Sequence, residues 1–169
     1  MHWGDRKRYA IEAEPESVEL PWVLGRFRFW VGGREIGDWD DSTAINGCVN
    51  WLRAFSREPL RCTEPSLAHS SPVEIFRQIV DPVFGPAGIS DPRKQPIPFA
   101  YERFHITHLG MSSFDNFVIV LIKDESGVER CLWRKHGEEQ IFEQWLGAFE
   151  MERIAGEFCE IFEAAYGKA

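Results

Sequence analysis

The sequence has no apolar run long enough to cross a membrane. Its longest unbroken aliphatic or aromatic stretch is FVIVLI, Phe117 to Ile122, against the ~20 residues that a spanning helix needs. The first residues, MHWGDRKRYA, lack the apolar core of a secretory signal, so the chain is expected in the cytoplasm. No CxxC pair occurs among the four cysteines, Cys48, Cys62, Cys131 and Cys159. That spacing argues against a zinc ribbon or a disulfide framework and for buried free thiols in a reducing compartment. Positive charge is scarce: 19 Lys and Arg stand against 27 Asp and Glu, a net charge of −8. Such a balance disfavours nucleic acid and anionic membranes as partners and suits a basic protein or a cationic ligand. There is no GxSxG nucleophile turn, no P-loop and no GxGxxG leading into a helix. VFGPAGIS has two glycines but no lysine to grip phosphate.

What is present describes a globular α+β chain. The 169 residues suit one domain spanning 1–169. Aromatics make up 14% of the chain, 13 Phe and 7 Trp among them, enough for a substantial core. A strand is expected around Tyr9 to Glu14, closed by Pro15. A second runs from about Leu24 to Val31, with Phe27, Phe29 and Val31 on one face and Arg26, Arg28 and Trp30 on the other. Gly32-Gly33 supplies the positive φ angles of a two-residue type I′ turn. The register then sets Val31 against Arg34, Phe29 against Ile36 and Phe27 against Asp38, and brings Arg26 to Trp39.

A helix follows, carrying Ile45, Cys48, Val49, Leu52 and Phe55 at helical spacing, with Asp41, or else Ser42, as the expected N-cap. Ser71-Pro72-Val73-Glu74 reads as a capping box opening a short helix to about Val80. The proline-rich segment 81–98 reads as a loop. A strand is expected over Phe99 to Thr107. NFVIVLIK, Asn116 to Lys123, is apolar on both faces and reads as a central strand. DESG turns it into a hairpin with Val128 to Lys135. From Glu138 to Tyr166 the apolar spacing is helical, with a slip near Met151. The expected architecture is a mainly antiparallel sheet of about five to six strands, with two hairpins, helices packed on it and a long C-terminal helical region.

Few residues point to chemistry. His105 and His108 form HxxH, but in a strand residues three apart face opposite sides and cannot share one metal. Asp38, Asp40 and Asp41 have the hard oxygens a divalent cation prefers, yet the spacing of a calcium loop is missing. No metal, cofactor or catalytic residue is assigned. The charge layout says more. From Gly137 onward eight glutamates face only Arg153 and Lys168, so that stretch carries −6 of the chain's −8. A concentrated negative surface either stays solvated or steers a basic protein. The carboxylates expected to lie off the apolar stripe are Glu139, Glu143, Glu150, Glu157 and Glu160, with Trp39 and Asp40 extending the patch from the hairpin.

WVLGRFRFWVGGREIGDWDD, Trp22 to Asp41, resembles a family of bacterial immunity proteins from polymorphic toxin systems. The shared features are the aromatic strand, the glycine hairpin and IGDWDDS leading into an amphipathic helix. NFVIVLIKDESGVERCLWR and FEQWLGAF are also similar. The resemblance implies a cytoplasmic, non-enzymatic antidote that binds a cognate toxin domain, possibly a basic nuclease, and blocks its active site or a nearby surface. It transfers no catalytic or binding residue. A small ligand-binding or adaptor domain, or a small enzyme with a non-local active site using His105 or His108, remains the alternative.

Overall fold

A computed structural model describes residues 1–19, 21–84, 100–106 and 112–167. Its backbone is organised by one long hairpin, β2 (Tyr9–Glu19) and β3 (Trp22–Val31). The pairing is antiparallel from Tyr9↔Val31 to Glu19↔Trp22, with a bulge between Pro15 and Ser17. Proline has no N–H for the ladder, so the bulge falls where a ladder bond is already lost. Opposite it, a Cβ on Gly25 would lie 2.2 Å from the Glu14 carbonyl oxygen. Only glycine lets the two backbones cross that closely. Alternation on β3 then sets the layers: Val23, Phe27, Phe29 and Val31 are buried, whereas Trp22 and Leu24 are exposed.

β1 (His2–Gly4) pairs with β2. On the far side of β3 lie two short strands at opposite ends: β4 (Arg34–Ile36) against Phe29–Val31 and β5 (Ser42–Ala44) against Leu24–Arg26. Gly32 and Gly33 have φ of 57° and 77°, the type I′ turn that the sequence requires, and the register is Val31↔Arg34 and Phe29↔Ile36 as expected. A second antiparallel sheet has the order β6 (Phe117–Lys123), β7 (Val128–Lys135), β8 (Phe142–Ala148). The α+β class is as read from the sequence, but in place of one sheet of five to six strands the described residues hold eight strands divided between two sheets.

Helices α1 (Ile45–Ser56) and α6 (Glu150–Tyr166) pack together on the inner face of the larger sheet. Phe27 meets Phe158 of α6 at 6.0 Å and Phe114 at 6.2 Å between ring centres. Each such ring, fully buried, contributes about 1.5–3 kcal/mol. Between α1 and β6 lie α2 (Pro65–Ala68), α3 (Pro72–Ile79), α4 (Asp81–Phe84) and α5 (Ala100–Phe104). Ser71 caps α3 as expected: its hydroxyl accepts the Glu74 N–H at 3.2 Å, and Pro72 opens the helix.

Several expectations change. Neither Asp41 nor Ser42 caps α1. The N-cap is Ala44, without a side-chain bond, because residues 42–44 pair as β5 with β3 before the helix starts. β4 ends at Ile36, so Asp38 does not oppose Phe27; its N–H bonds the Ser113 carbonyl at 2.9 Å. Trp39 stacks on Arg28, whose guanidinium carbon is 4.1 Å from the indole ring centre, and not on Arg26, which pairs with Glu16. Residues 100–104 are helical rather than extended, and His105 makes a single bridge to Val120 of β6. Residues 142–148 are a strand rather than helix, paired through Trp133↔Phe142 and Arg130↔Trp145. Asp81–Phe84 begins the expected proline-rich loop as a helical turn. The rest of that loop over 85–98, with Phe99, Thr107 and His108, lies outside the described residues.

Candidate functional site

The loop from Gly37 to Asp41 is held at both ends. Asp38 Oδ1 accepts the Asp40 N–H at 3.0 Å, a local turn that aspartate favours. Asp41 accepts the Ser112 hydroxyl. Asp40 is exposed and makes no side-chain hydrogen bond among the described residues. The three neighbouring carboxylates thus have three situations: a turn, a tether and a free charge. Trp39 is fixed from beneath by the Arg28 guanidinium. Arg28 is itself held by Glu12 at 2.8 Å and Glu35 at 2.9 Å.

This loop forms one wall of an open groove of about 520 Å³. Glu35, Gly37, Asp38, Trp39 and Asp40 line one side; Asn116, Phe117, Lys135, His136 and Glu138 from the β6–β7 end line the other. Glu35, Asp38, Asp40 and Glu138 are all exposed; Arg28 pairs with Glu35, and the basic side chains lining the groove opposite are Lys135 and His136. The groove is therefore a local negative well with an aromatic floor. A cation entering it gains from several carboxylates at once, while a phosphate is repelled.

The interior holds titratable groups, among them Lys123, Glu129 and Glu152. All four cysteines are buried and free. Burial pushes the Cys62 and Cys159 thiols up to about 11 and raises Cys131 further, so they stay protonated and unreactive. Lys123, with no exposed surface, donates to the Pro59 carbonyl at 2.6 Å and to Glu152. Glu129, its cross-strand neighbour, accepts the Met151 N–H at 2.7 Å. Burial pushes Glu129 up to about 7 and lowers Lys123. Among the described residues no group of three or more His, Cys, Asp or Glu is arranged to hold a metal. No described helix is long and apolar enough to cross a membrane.

The family model for Immunity protein 42 matches residues 1–160. The chain belongs to the Immunity protein 42 family. It is an immunity protein that binds and neutralises a cognate toxin domain, and it is not an enzyme. Its fold is similar to the crystal structure of CdiI from Burkholderia dolosa AUO158, with a TM-score of 0.73 and 13% sequence identity, over 95% of this chain and 99% of that one. None of the curated proteins compared with it matches.

The immunity protein's expected binding residues are spread over several elements. Trp39 and Asp40 come together in the groove, and Glu139 is exposed one residue beyond Glu138 at its rim. Glu143 is on β8, not on a helix, and pairs with Arg130 at 2.5 Å. Arg130 in turn donates to the Ala68 and Ser70 carbonyls at 3.0 and 2.5 Å. Glu150 opens α6, bound by Arg8 at 2.6 Å, which holds its carboxyl below the ordinary range. Glu157 accepts Arg153 at 2.8 Å and the Trp3 indole at 2.9 Å, again lowering its pKa. Glu160 is exposed on α6. Glu35, Asp38 and Glu138, which complete the groove, were absent from the expected set. Asp38 carries a signal in the sequence, the DWDD run, whereas Glu35 and Glu138 are joined to it only by tertiary contact.

Proposed function

We propose that this immunity protein receives its toxin at the acidic groove beside Trp39, and that the toxin domain presents a basic surface there. The observation that carries the reading is the convergence of four exposed carboxylates on an indole already fixed by Arg28. A pre-positioned aromatic loses little entropy on binding and serves as an anchor. A nuclease, which must bind a polyanion, has the matching charge. Covering that basic surface would block its substrate. Glu139 and Glu160 add to the attracting field, while Glu143, Glu150 and Glu157 are largely matched by their own cations and contribute less. The four buried free thiols support action in the reducing cytoplasm.

The test is stopped-flow association with the toxin domain encoded beside the immunity gene, at two ionic strengths. Reversing Asp38 and Asp40 to Lys should slow association roughly 10-fold or more at low salt and less at high salt. Both residues are exposed and the Asp38 turn is local to the loop, so the fold should survive; Asp40→Lys alone, which leaves that turn intact, should slow association in the same direction. An unchanged rate at both salt concentrations places the interface elsewhere.

A further inference from the structure

A toxin held only in the groove would touch too little protein. Stable complexes bury about 800 Å² on each partner, more than a groove bounded by ten residues at one corner provides. The surface that continues from it is the outer face of the five-stranded sheet. Trp39 rests on Arg28, and on β3 the row from Arg28 runs through Arg26 and Leu24 to Trp22. At ~3.3 Å per residue this spans about 20 Å. Helices α1 and α6 pack on the opposite, inner face, and at the end of the row Trp22 is 54% exposed and Leu24 38%.

Two further features set this end apart. The strand end carrying Trp22 is pinned: Asn46 of α1 accepts the Val23 N–H at 3.3 Å and donates to the Pro21 carbonyl at 3.0 Å. Trp22 is therefore presented on a fixed strand rather than a loose loop tip. The charge is also one-sided. Arg26 is paired with Glu16 and Arg28 with Glu12 and Glu35. Opposite Arg26 and Trp22 on the same face, β2 places Glu14 and Glu19, both exposed and neither ion-paired among the described residues.

We propose that this row, ending at Trp22 and Leu24, is the second half of the toxin's footprint, where an apolar side chain of the toxin covers Trp22 and flanking lysines or arginines meet Glu14 and Glu19. The inference rests on the reading that a basic toxin meets the Trp39 groove. A second copy of this chain fits the face less well, because pairing two such faces brings unpaired carboxylates into one interface.

The experiment measures toxin binding to Trp22→Ala and to the Glu14→Lys/Glu19→Lys pair, beside the groove variant above, with sedimentation of each protein alone. Trp22→Ala should raise Kd about 10-fold or more, mainly through faster dissociation. The charge pair should slow association at low salt. Circular dichroism should stay as in the wild type, since these side chains are exposed. Wild-type binding by both face variants, with the groove variant impaired, overturns the second footprint and leaves the groove. An unaffected groove variant with weakened Trp22→Ala refutes the groove and keeps the sheet face. A wild-type dimer that Trp22→Ala dissociates, with toxin binding intact, assigns the face to a second copy and overturns the proposal.

Discussion

Glu129 makes the interior of this immunity protein sensitive to pH in a direction that can be worked out. Its carboxyl has no exposed surface, and one oxygen, Oε1, lacks a hydrogen-bond partner, as does the nearby Tyr9 hydroxyl. Around it stand Lys123 from β6, Glu150 and Glu152 from α6, Tyr9 from β2, and the Cys62 and Cys131 thiols. Lys123 is shared with Glu152, so two carboxylates compete for one ammonium. Burial raises Glu129 from its ordinary 4.5 to about 7. The unfolded chain thus loses this proton near pH 4.5 and the folded chain near pH 7. Between the two, the folded state binds one more proton, so stability falls as pH rises and levels off above 7. At about 1.4 kcal/mol per unit, the loss is at most about 3.5 kcal/mol. Below this window the slope reverses, because Glu150 and Glu157 are held low chiefly by arginines and Glu12 by the Trp30 indole and Arg28, and all three lose that stabilisation as acid protonates them. Stability should therefore peak near pH 5. Urea unfolding of the wild type and Glu129→Gln between pH 5 and 8 provides the assay. Glutamine keeps an acceptor for the Met151 N–H and cannot ionise. The variant should lose most of the decline and be more stable at pH 8 by about 1–3 kcal/mol. Parallel pH curves for the two proteins would refute the reasoning and mean that water or a partner solvates the Glu129 charge.

Three further outcomes follow from the geometry. Ser71→Ala should cost about 1 kcal/mol in urea melts through loss of the α3 cap. Asp41→Ala and Ser112→Ala should each cost about 0.5–1.5 kcal/mol, and the double variant should cost no more than the larger single one, since both remove one hydrogen bond; full additivity would show that the bond does not form. Arg28→Ala should leave the protein folded but weaken toxin binding severalfold by freeing Trp39, and a smaller loss with Arg28→Lys would indicate that charge matters more than the flat guanidinium contact.

The parts of the fold that the sequence revealed are those where neighbours in the chain are neighbours in space. The β3–β4 hairpin follows from alternation and Gly32-Gly33, the β6–β7 hairpin from an apolar run and a DESG turn, and the α3 cap from Ser71 and Glu74; the first strand, expected to close at Pro15, runs on to Glu19 through a bulge and pairs with β3. The misread parts satisfy two periods at once. Phe142, Trp145, Leu146 and Phe149 sit at i, i+3, i+4 and i+7, a helical template, yet β7 has an open edge and takes Phe142–Ala148 as a strand. Phe149 then adopts a left-handed φ of 53° and starts the helix anew. FAYERFHIT alternates like a strand, but Ala100–Phe104 is helical, and among the described residues His105 is the one that bridges to β6. Ser42–Ala44 forms a strand only because β3 is long enough to offer a free stretch beyond β4. The site divides the same way. Trp39 and Asp40 were legible because an aromatic and a run of acids close a hairpin. Glu138 reaches them across the β6–β7 end, a juxtaposition that no local pattern encodes.

The larger sheet carries its core on one side only, and this separates two demands that usually constrain the same residue. On β3, Phe27, Phe29 and Val31 keep the chain folded; Trp22, Leu24 and Arg26 between them carry little of that burden. When a toxin changes its surface, a lineage of antidotes can answer by exchanging the outward side chains one at a time, each intermediate remaining folded. Recognition can be rewritten along the strand without reopening the problem of folding.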